Sequence, residues 1–150
     1  MKVDIRDIKR LRNKTSASIA DCRCALEESG GDYNKAIVWL GKHGIDRAEK
    51  KADRKTGEGL IDCYIHQNGK IGAMVVFLCE TDFVARTDEF KNLAHEIAMQ
   101  VASMDPKDID SLLKQEYIRD ASKTIESLIK ETIAKLGENI MIKGFTRFEI

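Results

Sequence analysis

An uninterrupted apolar run, Ile71–Cys79, constrains the fold of this chain most. Apolar side chains occupy both its odd and its even positions, which predicts the central strand of a sheet. Asn68-Gly69, a dipeptide typical of a tight hairpin turn, precedes the run, so residues 60–66 are predicted to form its antiparallel neighbour. Residues 139–150 alternate in polarity and are predicted to form a terminal strand. That strand is expected to carry three apolar side chains on one face: Ile140, Ile142 and Phe148.

The residues that follow the central strand are unusual for a connection. An acid, a large aromatic and a base (Asp82, Phe83 and Arg86) come before the next helical pattern begins. Strand-to-helix connections normally lie at the surface, where an exposed Phe gains nothing by itself. One interpretation is that Asp82 and Phe83 are offered to a binding partner. The alternative is that Phe83 folds back as a cap on the core and that Asp82 caps the next helix.

Helical patterns surround these strands. The first 44 residues favour three short helices in a small bundle, with the third ending near Gly41–Gly44. Residues 46–55 are almost all charged and favour a solvated helical linker. Residues 108–136 predict one or two helices. After the central strand, a further helix is predicted from an apolar stripe: Phe90, Leu93, Ala94, Ile97 and Val101.

These elements predict an α+β protein in three parts. Residues 1–45 form a three-helix bundle, residues 46–56 form a charged helical linker, and residues 57–150 form a core of a small antiparallel sheet packed with helices. A length of 150 residues suits either one domain or one small domain with a larger companion.

Charge and hydropathy narrow the possible functions. The 25 basic and 25 acidic residues balance, which argues against binding nucleic acid by bulk electrostatics. No apolar stretch is long enough to span a membrane, and the first residues lack the apolar core of a signal peptide. The sequence therefore predicts a cytoplasmic protein that binds neither membranes nor nucleic acid directly.

No catalytic or metal-binding motif is recognisable. The chain contains neither GxxxxGK[ST] nor GxGxxG, no HExxH, and no nucleophile elbow. We therefore predict no catalytic residue, no metal site, no cofactor and no covalent mechanism. Zinc or redox chemistry stays open as an alternative because there are four cysteines, although in a reducing compartment they are expected to be free thiols packed as small apolar groups: Cys22, Cys24, Cys63 and Cys79.

Separated blocks of the sequence resemble the bacterial elongation factor Ts family. The most specific block is Thr81-Asp82-Phe83-Val84-Ala85-Arg86. The other matching residues fall in the same order along most of the chain: Leu11-Arg12, Thr15, Asp21-Cys22, Ala25-Leu26-Glu27, Gly31-Asp32, Ala36, Lys50-Lys51-Ala52, Arg54, Glu58-Gly59, Tyr64-Ile65-His66, Gly72, Ile97-Ala98, Gln100-Val101-Ala102, Gly137-Glu138-Asn139-Ile140 and Arg147-Phe148-Glu149.

The resemblance implies a ubiquitin-associated-like N-terminal domain and a function. Members of this family are guanine nucleotide exchange factors, not enzymes, that bind GDP-loaded and nucleotide-free elongation factor Tu. The six-residue block, Thr81 to Arg86, would press against the nucleotide-binding domain of that partner and disturb its magnesium and phosphate site. Arg12 and Ile19 match the N-terminal region that contacts the same partner domain.

The chain departs from the family in size. It lacks the second core subdomain and helical hairpin of longer members, and it is shortened between Val101-Ala102 and Ile125 even relative to short members. A homodimer through residues 139–150 could replace the missing subdomain, because a terminal strand offers an edge. No cysteine is expected near that strand, which excludes a covalent dimer there.

The exchange-factor hypothesis and two alternatives to it make different predictions. The exchange-factor hypothesis predicts that Phe83 is exposed in the free protein. An adaptor that binds ubiquitin-like partners through its three-helix domain would instead tolerate replacement of Phe83. An enzyme or metalloprotein that uses the four cysteines would contain stoichiometric zinc.

Overall fold

The N-terminal third of the protein is a bundle of three helices. The structure, a computed structural model, describes residues 3–150. Helices α1 (Ile5–Thr15), α2 (Ile19–Glu28) and α3 (Tyr33–Lys51) begin at the N-cap side chains of Asp4, Ser18 and Asp32, which accept hydrogen bonds from backbone N–H groups of the first turn. Their common core is small: Ile8, Leu11, Cys22, Ala25, Leu26 and Ala36.

Helix α3 does not end near Gly41–Gly44, as the sequence predicted, but continues to Lys51. Its second half is also less solvated than predicted for the linker. Ala48 is 2% exposed and belongs to the core of the second part of the molecule. The guanidinium group of Arg47 pairs with the Asp21 carboxylate of α2, and the Lys51 ammonium donates to the carbonyl of Gly137 at 2.9 Å. Packing against both neighbours explains why two glycines do not stop the helix.

An antiparallel sheet of three strands forms the second part. Strand β1 (Glu58–Ile65) pairs with β2 (Ile71–Cys79), and β2 also pairs with the terminal strand, so β2 is central as predicted. The remaining elements follow along the chain: α4 (Asp82–Ala85), α5 (Asp88–Met104), α6 (Ile109–Lys114), β3 (Glu116–Tyr117), β4 (Asp120–Thr124), α7 (Ile125–Leu136) and the terminal strand β5 (Ile140–Glu149). These elements confirm the predicted α+β class, whereas the division at residues 45 and 56 stays a prediction.

One face of the sheet is covered by helices and the other is open. Ala73, Val75 and Phe77 point from β2 to the covered face and are buried, where they meet the predicted stripe of α5. Helix α7 closes the same core with three isoleucines: Ile125, Ile129 and Ile133. On the open face of β2, Met74 is exposed and Val76 and Leu78 are partly exposed.

Strand β5 contains an irregularity that the sequence analysis did not anticipate. Phe77 pairs with Ile142, but its neighbour Val76 pairs with Gly144, so Lys143 is an extra residue in β5. An extra residue reverses the alternation of side chains beyond it. Phe148 therefore lies on the open face and is 74% exposed, and the prediction that it shares a face with Ile140 and Ile142 was wrong.

The segment between α5 and α7 is only partly helical. The predicted helices are present as α6 and α7, but a small hairpin, β3–β4, separates them. Its first strand and its turn are held by Gln100, whose amide is buried in α5. This amide donates to the carbonyl of Glu116 at 3.0 Å and accepts from the N–H of Ile118 at 3.0 Å.

Candidate partner-binding site

The turn predicted to bind a partner forms a single helical turn at the end of β2. Thr81 caps α4, because its hydroxyl accepts a hydrogen bond from the N–H of Val84 at 3.4 Å. Thr87 caps the next helix, α5, in the same way. Asp82 therefore caps neither helix but is the first residue of α4.

The six residues of the turn point in two directions. Val84 is 9% exposed and joins the core beneath the sheet, with Ala85 packed beside it. Phe83 is 78% exposed, which confirms the predicted exposure and excludes the alternative in which it covers the core. Asp82 and Arg86, also at the surface, form an ion pair of 2.8 Å across one turn of the helix.

A carboxylate from a distant part of the chain holds the start of this turn. Oε2 of Glu138 accepts hydrogen bonds from the N–H of Glu80 at 3.1 Å and of Thr81 at 3.0 Å. Its Oε1 accepts from the Thr81 hydroxyl at 2.6 Å. Glu138 belongs to a block that matches the family, but the sequence predicts no role for it. The only available signal was an acid beside the C-cap glycine of α7.

The buried thiol of Cys79 lies directly beneath the same turn. It is fully buried at the end of β2 and donates to the carbonyl of Thr81 at 3.1 Å. Burial raises the pKa of Cys79 to about 11, and the nearby charge of Glu138 acts in the same direction. The thiol is therefore protonated at neutral pH and contributes through packing and its hydrogen bond.

The N-terminal residues predicted to bind the same partner lie on a different part of the protein. Arg12, near the end of α1, and Ile19, the first residue of α2, flank the connection between these helices, and both are exposed. Helix α1 packs on α2 and α3, whereas α4 packs on β1, β2 and α5. The two predicted contact regions are thus carried by separate packing units.

The cysteines are dispersed. Cys22 and Cys79 are buried in the two different cores, while Cys24 is partly exposed and Cys63 lies exposed on β1. Within residues 3–150, no group of three or more His, Cys, Asp or Glu side chains is arranged to hold a metal ion. In the same residues, no helix is both long and apolar enough to cross a membrane.

The open face of the sheet carries a second exposed apolar surface. Ile65, Met74, Phe148 and Ile150 border a shallow cavity of about 310 Å³. Cys63 borders the same cavity and Cys79 pairs with Ile140 of β5, so the prediction that no cysteine lies near the terminal strand was wrong.

The chain has many relatives among known proteins. The family model described as "Elongation factor TS" matches residues 80–150. The elongation factor Ts of a Thermoanaerobacter species is 43% identical over 187 aligned positions, which include 95% of this chain and 92% of the relative. The elongation factor Ts proteins of Coprothermobacter proteolyticus (40% identical) and Thermotoga petrophila (42% identical) align with the whole chain and with 99% and 97% of their own lengths.

These matches define the class of protein as translation elongation factors. Within that class, the chain belongs to the elongation factor Ts family. The three alignments span 187, 195 and 193 positions and include 95%, 100% and 100% of the 150 residues of this chain, so about forty-five positions of each alignment have no counterpart here. The chain is accordingly a short form.

Proposed function

We propose that this protein is a guanine nucleotide exchange factor that binds GDP-loaded elongation factor Tu in the cytoplasm and promotes release of GDP. The observation that supports this role best is the 78% exposure of Phe83 on a turn whose two ends are held by the core and by Glu138. At 78% exposure Phe83 covers little of its ring in the free protein, so it contributes little to the stability of the fold. It is available to enter a pocket of a partner.

The mechanism needs no covalent chemistry. A factor that binds the nucleotide-free partner more tightly than the GDP-loaded partner must weaken GDP binding by the same ratio, because the coupling is reciprocal. Burying Phe83 in the distorted partner would contribute about 1.5–3 kcal/mol, or roughly ten- to a hundredfold. Asp82 would bring a carboxylate towards the magnesium and phosphate site, while Arg12 and Ile19 bind the same partner domain.

The test of this proposal is the rate at which elongation factor Tu releases fluorescent GDP. The wild-type protein is expected to accelerate release strongly, and Phe83→Ala is expected to reduce the acceleration at least tenfold while remaining folded by circular dichroism. Ile61→Ala is the matched control, because Ile61 is 64% exposed on β1 and outside the turn. No acceleration by the wild type would contradict the function and favour an adaptor, whereas acceleration that Phe83→Ala leaves unchanged would place the exchange activity outside the turn.

A homodimer through the terminal strand is part of the proposal. Strand β5 is an edge of the sheet, and Phe148 and Ile150 are 74% and 97% exposed on its open face. An uncovered edge beside exposed apolar side chains favours pairing with a second copy.

The oligomeric state tests this part separately. Sedimentation equilibrium is expected to give a dimer that dissociates on dilution. Phe148→Lys should shift it to the monomer, since a charge would then be buried in the interface. Val38→Lys, a change at a residue of α3 that is 71% exposed, should leave the dimer unchanged. A wild-type monomer at all concentrations would contradict this part and leave the exchange function unaffected.

A further inference from the structure

Glu138 occupies an unusual position for an acidic residue of a connecting segment. It lies between α7 and β5, yet all three of its hydrogen bonds go to Glu80 and Thr81, more than fifty residues earlier in the chain. The ladder of β2 ends at Cys79, which pairs with Glu58 and Ile140. The N–H groups of Glu80 and Thr81 therefore have no strand partner, and the Glu138 carboxylate supplies the acceptor that they need.

The Thr81 hydroxyl passes this restraint on to α4. It donates to Glu138 at 2.6 Å and accepts from the N–H of Val84 at 3.4 Å. One hydroxyl thus connects a fixed carboxylate to the first turn of the helix that carries Phe83. Because α4 has only four residues, its orientation depends on such end contacts more than on its own hydrogen bonds.

The segment that carries Glu138 is itself tied down. The N–H of Asn139 donates to the Glu80 carboxylate at 2.7 Å, and the Asn139 side chain, which is 4% exposed, donates to the carbonyls of Ala52 at 3.1 Å and Arg54 at 2.9 Å. Arg54 in turn lies 3.6 Å from the Glu80 carboxylate. The segment that carries Glu138 is therefore held in a fixed position relative to the turn.

We infer that Glu138 is a positioning residue for nucleotide exchange, which holds the Thr81–Arg86 turn so that Phe83 meets the partner in one orientation. This inference rests on the proposed function and adds a residue outside the turn to it. Binding is weakened when a contact residue must first be ordered, so a free turn would use part of the binding energy of Phe83 to order itself. Loss of the carboxylate should slow the release of GDP without removing any surface that the partner touches.

The experiment compares Glu138→Ala and Glu138→Gln in the GDP release assay, together with Phe83→Ala and the double variant. Glu138→Ala is expected to lower the acceleration at least tenfold. Glu138→Gln is expected to stay within threefold of wild type, because its amide can still accept both N–H groups and donate to the Thr81 hydroxyl. In the Phe83→Ala background, Glu138→Ala should have a much smaller effect, since it acts chiefly through Phe83 and only the position of Asp82 remains to be disturbed. Glu131→Ala is the control, as it removes a carboxylate of α7 that pairs with Lys123.

Amide hydrogen exchange supplies a readout that is independent of activity. Protection of the Glu80 and Thr81 N–H groups should fall in Glu138→Ala while the amides of α5 stay protected. If Glu138→Ala proves unfolded, Thr81→Val removes the linking hydroxyl alone and should likewise lower the acceleration at least tenfold.

If the wild type is active, three results would overturn the inference. They are full activity of folded Glu138→Ala, unchanged protection of the Thr81 amide in that variant, or a loss of activity that is equally large with and without Phe83. An inactive wild-type protein would overturn the proposed function and the role of Glu138 with it. This result differs from an active wild type that tolerates Glu138→Ala, which would overturn the inference alone.

Discussion

At the scale of single residues, the environment of Cys79 links the core to the turn above it. The thiol is fully buried between β2 and α4 and donates to the carbonyl of Thr81. Burial raises its pKa from the ordinary value of 9.0 to about 11. As the pH rises, the unfolded chain therefore loses this proton at a lower pH than the folded protein does. A group of this kind stabilises the fold fully below pH 9, and its contribution is lost as the pH rises to 11.

The pH dependence of stability should show this contribution. Between pH 8 and pH 10.5, the free energy of unfolding of the wild type is expected to fall by about 2 kcal/mol more than that of Cys79→Ala, at about 1.4 kcal/mol per pH unit above pH 9. Urea denaturation at both pH values measures the difference. Cys63→Ala, which removes an exposed thiol, should follow the wild type. Parallel profiles for the wild type and Cys79→Ala would contradict the prediction.

At the scale of elements, β1 and β2 approach each other closely where β1 begins. Gly59 pairs with Leu78, and its φ angle of +153° is one that other residues seldom adopt. A Cβ atom at Gly59 would lie 2.1 Å from the carbonyl oxygen of Phe77. A backbone atom cannot move aside as a flexible side chain can, so the first residues of β1 depend on this glycine.

Substitution of the two neighbouring glycines should therefore have different effects. Gly59→Ala is expected to lower the free energy of unfolding by more than about 2 kcal/mol, because the strand must separate from β2 or distort. Gly57→Ala should change it by less than about 0.5 kcal/mol, since no atom lies within 4 Å of the added methyl group. Chemical denaturation of both variants provides the measurement, and equal stabilities would show that β1 can shift without cost.

The sequence predicted correctly those elements that carry a local signal, such as a regular apolar stripe or a turn dipeptide. The stripe of α5, the Asn68-Gly69 hairpin and the central position of β2 follow from periodicity and turn chemistry. The residue pattern left two positions open for Phe83, and its exposure was predicted only by the exchange-factor hypothesis. The extra residue Lys143 has no local signal, and it reversed the face of Phe148.

Long-range hydrogen bonds account for the elements and site residues that local patterns missed. The buried amide of Gln100 fixes the β3–β4 hairpin from a helix that precedes it in the chain. Glu138 reaches the turn across a separation that no periodicity reports. Such contacts are set by tertiary structure, which overrides local preference.

At the scale of the whole molecule, contact between α3 and α7 joins the N-terminal bundle to the core. Of the two glycines of α3, Gly44 lies closer to α7. A Cβ atom added there would lie 3.0 Å from the Cβ of Ala134. Lys130 of α7 pairs with Glu49 of α3 at 3.0 Å, and Lys51 of α3 binds the carbonyl of Gly137. The bundle is therefore attached along a surface, not by a single connection.

Two glycines of α3 test this attachment. Replacing a glycine inside a helix with alanine normally stabilises it by about 0.5–1 kcal/mol. Gly41→Ala should give this gain, because the added methyl group meets no atom within 4 Å. Gly44→Ala should give no gain or a loss, because the methyl group would push α3 away from Ala134. Thermal and urea unfolding measure both changes, and equal gains would contradict the proposed tight contact.

The continuity of α3 also determines where the chain can tolerate a change in length. A helix turns by about 100° for every residue, so one residue inserted between Gly44 and Lys51 would rotate the bundle, with Arg12 and Ile19, about the core. An insertion in the Asn68-Gly69 turn would only lengthen a surface loop. The spacing of residues in this one helix thus sets the orientation of the bundle relative to the core, and with it the relative orientation of the two proposed contact regions.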